Sequence, residues 1–264
     1  TKFFISMMEI SKGKQKKVLS SEKEEYFKCN RAEIDKSKKI GYQGVKGSFS
    51  EEAAIKFFGE ESNRTSYTEF EDFFKAIENN ERIYIYGDYD VDGVSSTSIL
   101  YLYFKSIDFS VKYYIPNRLE EGYGVNEDAI RKIYDDGCDL IITVDCGITS
   151  VKEVEIAKEL GIDVIITDHH ECQSEIPDAF AIVNPKQEDC HYPFDMLCGC
   201  GVAFKMIQAL TDEEEFKKSM FDYLEIVTLA TICDIVPLVD ENRIIVKYGL
   251  DLLRKSKNIG LNAL

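Results

Sequence analysis

Three aspartates, Asp88, Asp90 and Asp92, stand at alternate positions where an apolar run ends in the stretch IYIYGDYDVDGVSS. Carboxylates this close repel one another, so either an Asp-Gly turn tolerates them in water or a bound cation holds them together. Three more segments end apolar runs in acids or histidines: TVDCG (143–147), TDHHE (167–171) and TICDIVPL (231–238). Two of the three histidines in the chain, His169 and His170, are adjacent within the second of these. A lone DxD in a turn is a weak signal. Combined with a DHH and a VDCG, each at the end of its own apolar run, it points to a metal site. Carboxylates and imidazole suit Mn²⁺ or Mg²⁺, and no cysteines are spaced for zinc. Two such ions need bridging and terminal carboxylates; together they activate a water and offset charge on a phosphoryl group. The hydroxyls Ser95, Ser96 and Thr97 are read as opening a helix, either as an anion-binding N-terminus or as a plain cap.

The elements that must carry these residues alternate. RIYIYG (82–87), VKYYIP (111–116), DLIITVD (139–145), DVIITDHH (163–170) and AFAIVNP (179–185) read as strands. SSTSILYLYFKSI (95–107), NEDAIRKIYDDG (126–137) and SVKEVEIAKELG (150–161) read as the helices between them. Strands of nearly unbroken apolar residues alternating with helices predict an α/β fold, a parallel sheet with helices on both faces. The acidic motifs then fall at the carboxyl edge of the sheet, where open α/β sheets bind ligands. Residues 1–81 do not share this rhythm. They read as a helix (3–19), a charged connector (20–38), a strand, Gly-rich turn and helix (39–59) and a further helix (66–80), an unrelated partial α/β segment.

Composition limits the alternatives. Of the 264 residues, 44% are hydrophobic and 12% aromatic, enough for a globular core. No apolar run approaches the roughly 20 residues that span a bilayer, and the start lacks the pattern of a secretory signal. It also lacks an initiating Met, which suggests an incomplete N-terminus. Eight cysteines without paired spacing fit a reducing cytoplasm, and Cys146 is read as a packed residue rather than a nucleophile. Residues 1–81 are charge-balanced, whereas 82–264 carry 17 Lys and Arg against 33 Asp and Glu. That surplus suits recruitment of divalent cations and argues against a broad basic surface for nucleic acid.

With these residues in view, about 76–264 closely resemble the DHH phosphoesterase superfamily, and within it the RecJ branch of single-stranded-DNA-specific exonucleases. The strings that carry the likeness are AIENNERIYIYGDYDVDGVSSTSIL, IPNRLEEGYGVN, VDCGITS, ITDHHE, IVNPKQEDCHYPFDMLCGCGVAFK, ATICDIVPLVDENR and VKYGL. The resemblance implies two divalent cations, Mn²⁺ or Mg²⁺. Asp90, Asp92, His169 and Asp234 would be ligands, Asp145 the bridging carboxylate, and Asp88 a ligand or a close neighbour. It further implies that Asp168 orients the histidines and that His170 faces the scissile phosphate. Gly199 to Phe204, with Gly199 and Gly201, would form a substrate-side turn, and Ser95 and Ser96 would lie along the substrate. The implied activity is 5′→3′ hydrolysis of single-stranded DNA in repair and recombination, with other DNA-repair proteins as partners and no membrane. Small-substrate relatives begin their first motif with His-x-Asn-Pro-Asp-x-Asp. Tyr86 and Asp88 replace the His and Asn here, which favours the exonuclease branch over enzymes of short oligonucleotides or cyclic dinucleotides. The family usually continues into a DHH-associated domain and an oligonucleotide-binding fold. The chain ends at GLNAL, where that connection is expected to begin, so the resemblance implies a C-terminal truncation and impaired strand binding.

The first 80 residues resemble something else. FFISMMEISKGKQKKVL is similar to the last helix of chorismate mutase, with Gln15 at a substrate-contacting position. IGYQGVKGSFSEEAAIKFFGE is similar to the start of prephenate dehydratase. The expected division is 1–19, 20–38, 39–79 and 80–264, an apparent chimera. The competing functions are therefore a phenylalanine-pathway enzyme fragment and, for the larger part, an inactive scaffold.

Overall fold

Short strands that are apolar on both sides require cover on both faces, and the computed structural model provides it. It describes residues 40–43, 64–67, 81–188, 190 and 192–263. In the larger unit, β1 (Ile83–Tyr86) and β3 (Leu140–Val144) are buried at every position. β4 (Asp163–Thr167) is buried after its first residue. β2 (Val111–Tyr114) and β5 (Ala181–Val183) form the partly exposed edges. All five strands are parallel, in the order β2-β1-β3-β4-β5. That order reverses between β1 and β3, which opens a crevice at their carboxyl ends.

Tyr84, Tyr86, Ile141, Val164 and Ile166 pack on α2 (Glu127–Asp135) and α3 (Val151–Glu159) through Ala129, Ile130, Ile133, Val154 and Ala157. The sheet also contacts α1 (Val91–Ser106) and α4 (Gly199–Leu210), which pack on each other and on α5 (Glu213–Cys233). α6 (Asp240–Leu253) lies along α5, and α7 (Ile259–Ala263) follows. Helices on both faces of a parallel sheet are the α/β arrangement expected from the alternating pattern. Among the described residues no helix is long and apolar enough to cross a membrane.

One boundary differs in a way that matters. α1 begins at Val91, four residues before the hydroxyl cluster, because the Asp90 carboxylate caps it by accepting from Gly93 N at 2.9 Å. Ser95, Ser96 and Thr97 therefore lie buried inside the helix and do not open it. Ser96 and Thr97 donate back to the carbonyls of Asp92 and Gly93, which spends their hydroxyls on the helix itself. Cys146 is buried, its thiol facing the Tyr86 carbonyl and pushed well up by burial, as suits a packed residue.

The second unit, Lys14–Asn80, contributes two described strands, Ile40–Gln43 and Arg64–Tyr67, paired in parallel. The first is the strand expected in 39–59. The second takes Ser66 and Tyr67 from a stretch read as helix. The remaining expectations for 1–80, Gln15 included, lie outside the described residues.

Ile142 sits at the centre of β3 with no exposed surface. Ile142→Ala is expected to lower unfolding free energy by about 2–5 kcal/mol, checked by denaturant titration.

Candidate metal centre

Three strand ends and one helix end deliver the acidic motifs to the crevice. β1 runs into Asp88 and Asp90, and the first turn of α1 adds Asp92. β3 ends at Asp145, β4 at Asp168 and His169, and α5 at Asp234. His169 Nε2 lies 3.1 Å from Asp145 Oδ1, 3.7 Å from Asp92 Oδ2 and 3.8 Å from Asp234 Oδ2. Ligand atoms of Asp92, His169 and Asp234, and of Asp145, His169 and His170, fall into two groups that share His169.

The polar atoms are held in place and left unused, as a cation site requires. Among the described residues five buried side-chain polar atoms have no hydrogen-bond partner, and four of them belong here: both Asp88 oxygens, Asp145 Oδ1 and His169 Nε2. Asp145 Oδ1 and His169 Nε2 are close but not aligned for a hydrogen bond. Two neighbouring ligands on an octahedral ion with bonds of about 2.1 Å are about 3 Å apart, so one cation would satisfy both.

Asp92 has a different support. It accepts from Gly199 N at 2.6 Å and Cys200 N at 2.9 Å, the free amides at the start of α4, where the helix dipole also favours an anion. Gly199 to Phe204, expected to be a turn, is thus the opening of a helix capped by Cys198, whose sulfur accepts from Gly201 N. A Cβ on Gly199 would lie 2.5 Å from Asp145 Oδ1, so glycine is what lets α4 approach both carboxylates. Asp90 is exposed at the rim and is engaged in capping α1. Asp145 adopts a left-handed φ of 59°, as does Ile235 beside Asp234 at 57°; for a β-branched residue this is rare outside held sites.

Behind the ligands, Asp168 is satisfied by the chain itself. It accepts from Ile148 N, His169 N and His170 N, and from His170 Nδ1 at 2.7 Å. It therefore orients the ring of His170 but not that of His169. Burial alone would raise Asp168, but these donors bring it below the usual carboxylate range, and it in turn raises His170. His170 Nε2 is 3.1 Å from the Tyr123 hydroxyl. Tyr123 escaped the sequence reading. Its signal was the pair of flanking glycines, Gly122 and Gly124, both at φ +80°, in a turn that displays the tyrosine between them.

Electrostatics without a cation are unfavourable. Burial first, then Asp92, Asp90, Asp168 and Asp234, push Asp145 up to about 11. Burial and the carboxylates of Asp92 and Asp90 raise Asp234 to about 6. Burial lowers His169 to about 4, which keeps its imidazole neutral and able to ligate.

Comparison with known proteins identifies the family. The profile of the DHH family, N-terminal domain, matches residues 82–231. The chain belongs to the DHH family. This DHH domain is 51% identical over 190 residues to the single-stranded-DNA-specific exonuclease RecJ of Bacillus subtilis, covering 72% of the chain and 24% of that protein. The RecJ of Escherichia coli is 38% identical over 195 residues, covering 70% and 34%. A crystal structure of exonuclease RecJ bound to manganese superposes with a TM-score of 0.62 at 32% identity, covering 73% of the chain and 49% of that structure. The chain therefore spans about a quarter to a third of these curated relatives. A prephenate dehydratase profile matches residues 40–86, overlapping the DHH match across β1.

The pKa shifts set a pH dependence. In metal-free protein Asp145 and Asp234 keep protons that the unfolded chain releases near 4. Their contribution is complete at low pH and is lost as pH rises, for Asp145 up to about 11. His169 acts oppositely: with a folded value of about 4, its contribution is gained as pH rises to its ordinary 6.5. Above that the loss from Asp145 is joined by that of His170, which Asp168 holds above its ordinary value. The Tm of chelated protein should fall from about pH 7 to about 9, and Asp145→Asn or added Mn²⁺ should flatten the slope.

Proposed function

We propose that residues 80–264 form a metal-dependent phosphodiesterase domain of the RecJ type, which hydrolyses single-stranded DNA from its 5′ end. The observation that carries this reading is the orphaned pair Asp145 Oδ1 and His169 Nε2, set between Asp92 and Asp234, in a domain 51% identical over 190 residues to part of a RecJ exonuclease. Asp92, Asp145, His169 and Asp234 would hold Mn²⁺ or Mg²⁺, with Asp88 and Asp90 completing the acidic set. Such ions lower the pKa of a bound water and offset charge on the phosphoryl oxygens.

The chain's own groups do the rest. Asp92, raised by burial and drawn back in part by two α4 amides, is held by them on one side of the site. Asp168 holds Nδ1 of His170, so that the Nε2 edge faces the cleft beside Tyr123. A protonated His170, favoured by Asp168, would donate to a non-bridging phosphate oxygen or to the leaving group. Gly199 donates its amide to Asp92 and Gly201 to the Cys198 cap, while Ser95 and Ser96, expected along the substrate, are buried within α1. Residues 1–79 are read as the separate mutase-like helix, connector and dehydratase-like fragment. In the cell, other DNA-repair proteins are the expected partners, in the cytoplasm.

Affinity for a strand depends on how many phosphates are neutralised. With 17 basic against 33 acidic residues in 82–264, cleavage by this chain should be slow and non-processive. Two measurements belong together: a melting curve with and without Mn²⁺, and release of nucleotides from a labelled single strand. Asp145→Ala should lose both the metal-dependent rise in Tm and the cleavage. No Mn²⁺ shift in the unmutated chain would defeat the assignment, and processive degradation would overturn the low-affinity expectation. The same preparation should convert neither chorismate nor prephenate.

A further inference from the structure

Asn242, in the first turn of α6, has no exposed surface and touches none of the metal-site side chains by hydrogen bond. Its Nδ2 donates to Met196 O at 2.6 Å and to Pro237 O at 3.1 Å, while its Oδ1 is buried without a partner. A side chain kept only for filling space would not be an amide with an unsatisfied oxygen, because an apolar residue avoids that cost. What Asn242 supplies is two donors, and both go to segments that carry the site.

Met196 lies just before Cys198, the cap of α4, whose next two amides hold Asp92 and whose Gly199 backs Asp145. Pro237 lies three residues after Asp234, on the turn that Ile235 enters with a left-handed φ. One amide nitrogen therefore ties the segment that positions Asp92 to the loop that positions Asp234. A second, weaker tie runs in parallel, with Cys198 Sγ 3.6 Å from the hydroxyl of Thr231 on the last turn of α5. Next to Asn242, Glu241 is also buried and accepts from Tyr192 Oη at 2.8 and 2.9 Å and from Lys205 Nζ of α4 at 2.7 Å. The first turn of α6 thus holds α4 at Lys205 and the segment leading into it at Tyr192 and Met196.

We propose that Asn242 is a positioning residue of the metal centre, setting the separation of Asp92 and Asp234 by clamping the two chain segments that deliver them. This rests on the metal-dependent reading above. Groups that orient ligands from behind typically change metal affinity about 10–100-fold when removed. The test is calorimetric titration of Mn²⁺ into metal-free full chain, with folding checked by circular dichroism. Asn242→Asp keeps the shape and removes the paired donors; Asn242→Ala removes the side chain and serves if the first variant does not fold. Ile133→Val, in the core under α2, is the control for loss of stability alone. Either Asn242 variant should bind Mn²⁺ about 10-fold or more weakly, while Ile133→Val leaves affinity unchanged. Equal affinity in a folded Asn242 variant, or a parallel loss in Ile133→Val, overturns the positioning role alone. No Mn²⁺ uptake by the unmutated chain sinks the metal reading beneath it.

Discussion

Mutual repulsion among buried carboxylates is the constraint around which this domain is arranged. Asp88, Asp92 and Asp145 are almost wholly buried, with Asp90 and Asp234 within range of their fields. In a medium of low effective dielectric such a set cannot all ionise without countercharge. The fold supplies part of it from the backbone, through the α4 amides on Asp92 and the amides around Asp168. It leaves Asp88, Asp145 and the His169 nitrogen unsatisfied. What the backbone neutralises is the rim and the rear of the site; the centre is left for a cation.

That division explains several local oddities together. Asp145 takes a left-handed backbone and Ile235 a strained one because the chain must turn sharply to present a carboxylate at a fixed point. Gly199 is small because α4 has to reach Asp92 with its amides and still clear Asp145. The buried polar residues of α6, remote in sequence from every ligand, make sense as the means of holding α4 against the Asp234 loop. Neutral hydrogen bonds such as those of Asn242 are worth about 0.5–1.5 kcal/mol each, and those to a charged group such as Glu241 about 1.5–3 kcal/mol.

The sheet carries the rest of the load. Its order places the ends of β1, β3 and β4 side by side at the crevice, so residues from 88 to 169 meet without long-range contrivance. The fourth contributor, Asp234, arrives from a helical layer packed over α1, which is why the site depends on helix–helix contacts as well as on strand pairing. A fold of this kind assembles its chemistry only when both layers are in place.

Residue types and local periodicity were enough to establish the parallel α/β sheet, all five of its strands, and the kinds of ligand gathered at its carboxyl edge. Those are local properties: a strand buried on both faces must be apolar throughout, and a divalent-cation site must collect oxygen and imidazole donors. Local pattern misplaced the start of α1, because Asp90 competes with Ser95 and Ser96 as a cap and only backbone geometry decides between them. The turn that the resemblance implied at Gly199 to Phe204 is instead the start of α4, whose amides find Asp92, 107 residues earlier. The Tyr123–His170 contact, the Ile148 amide on Asp168 and the Asn242 tie to Met196 are contacts between segments distant in sequence. Their energies depend on distance and alignment across the folded chain, and the tertiary structure alone decides those.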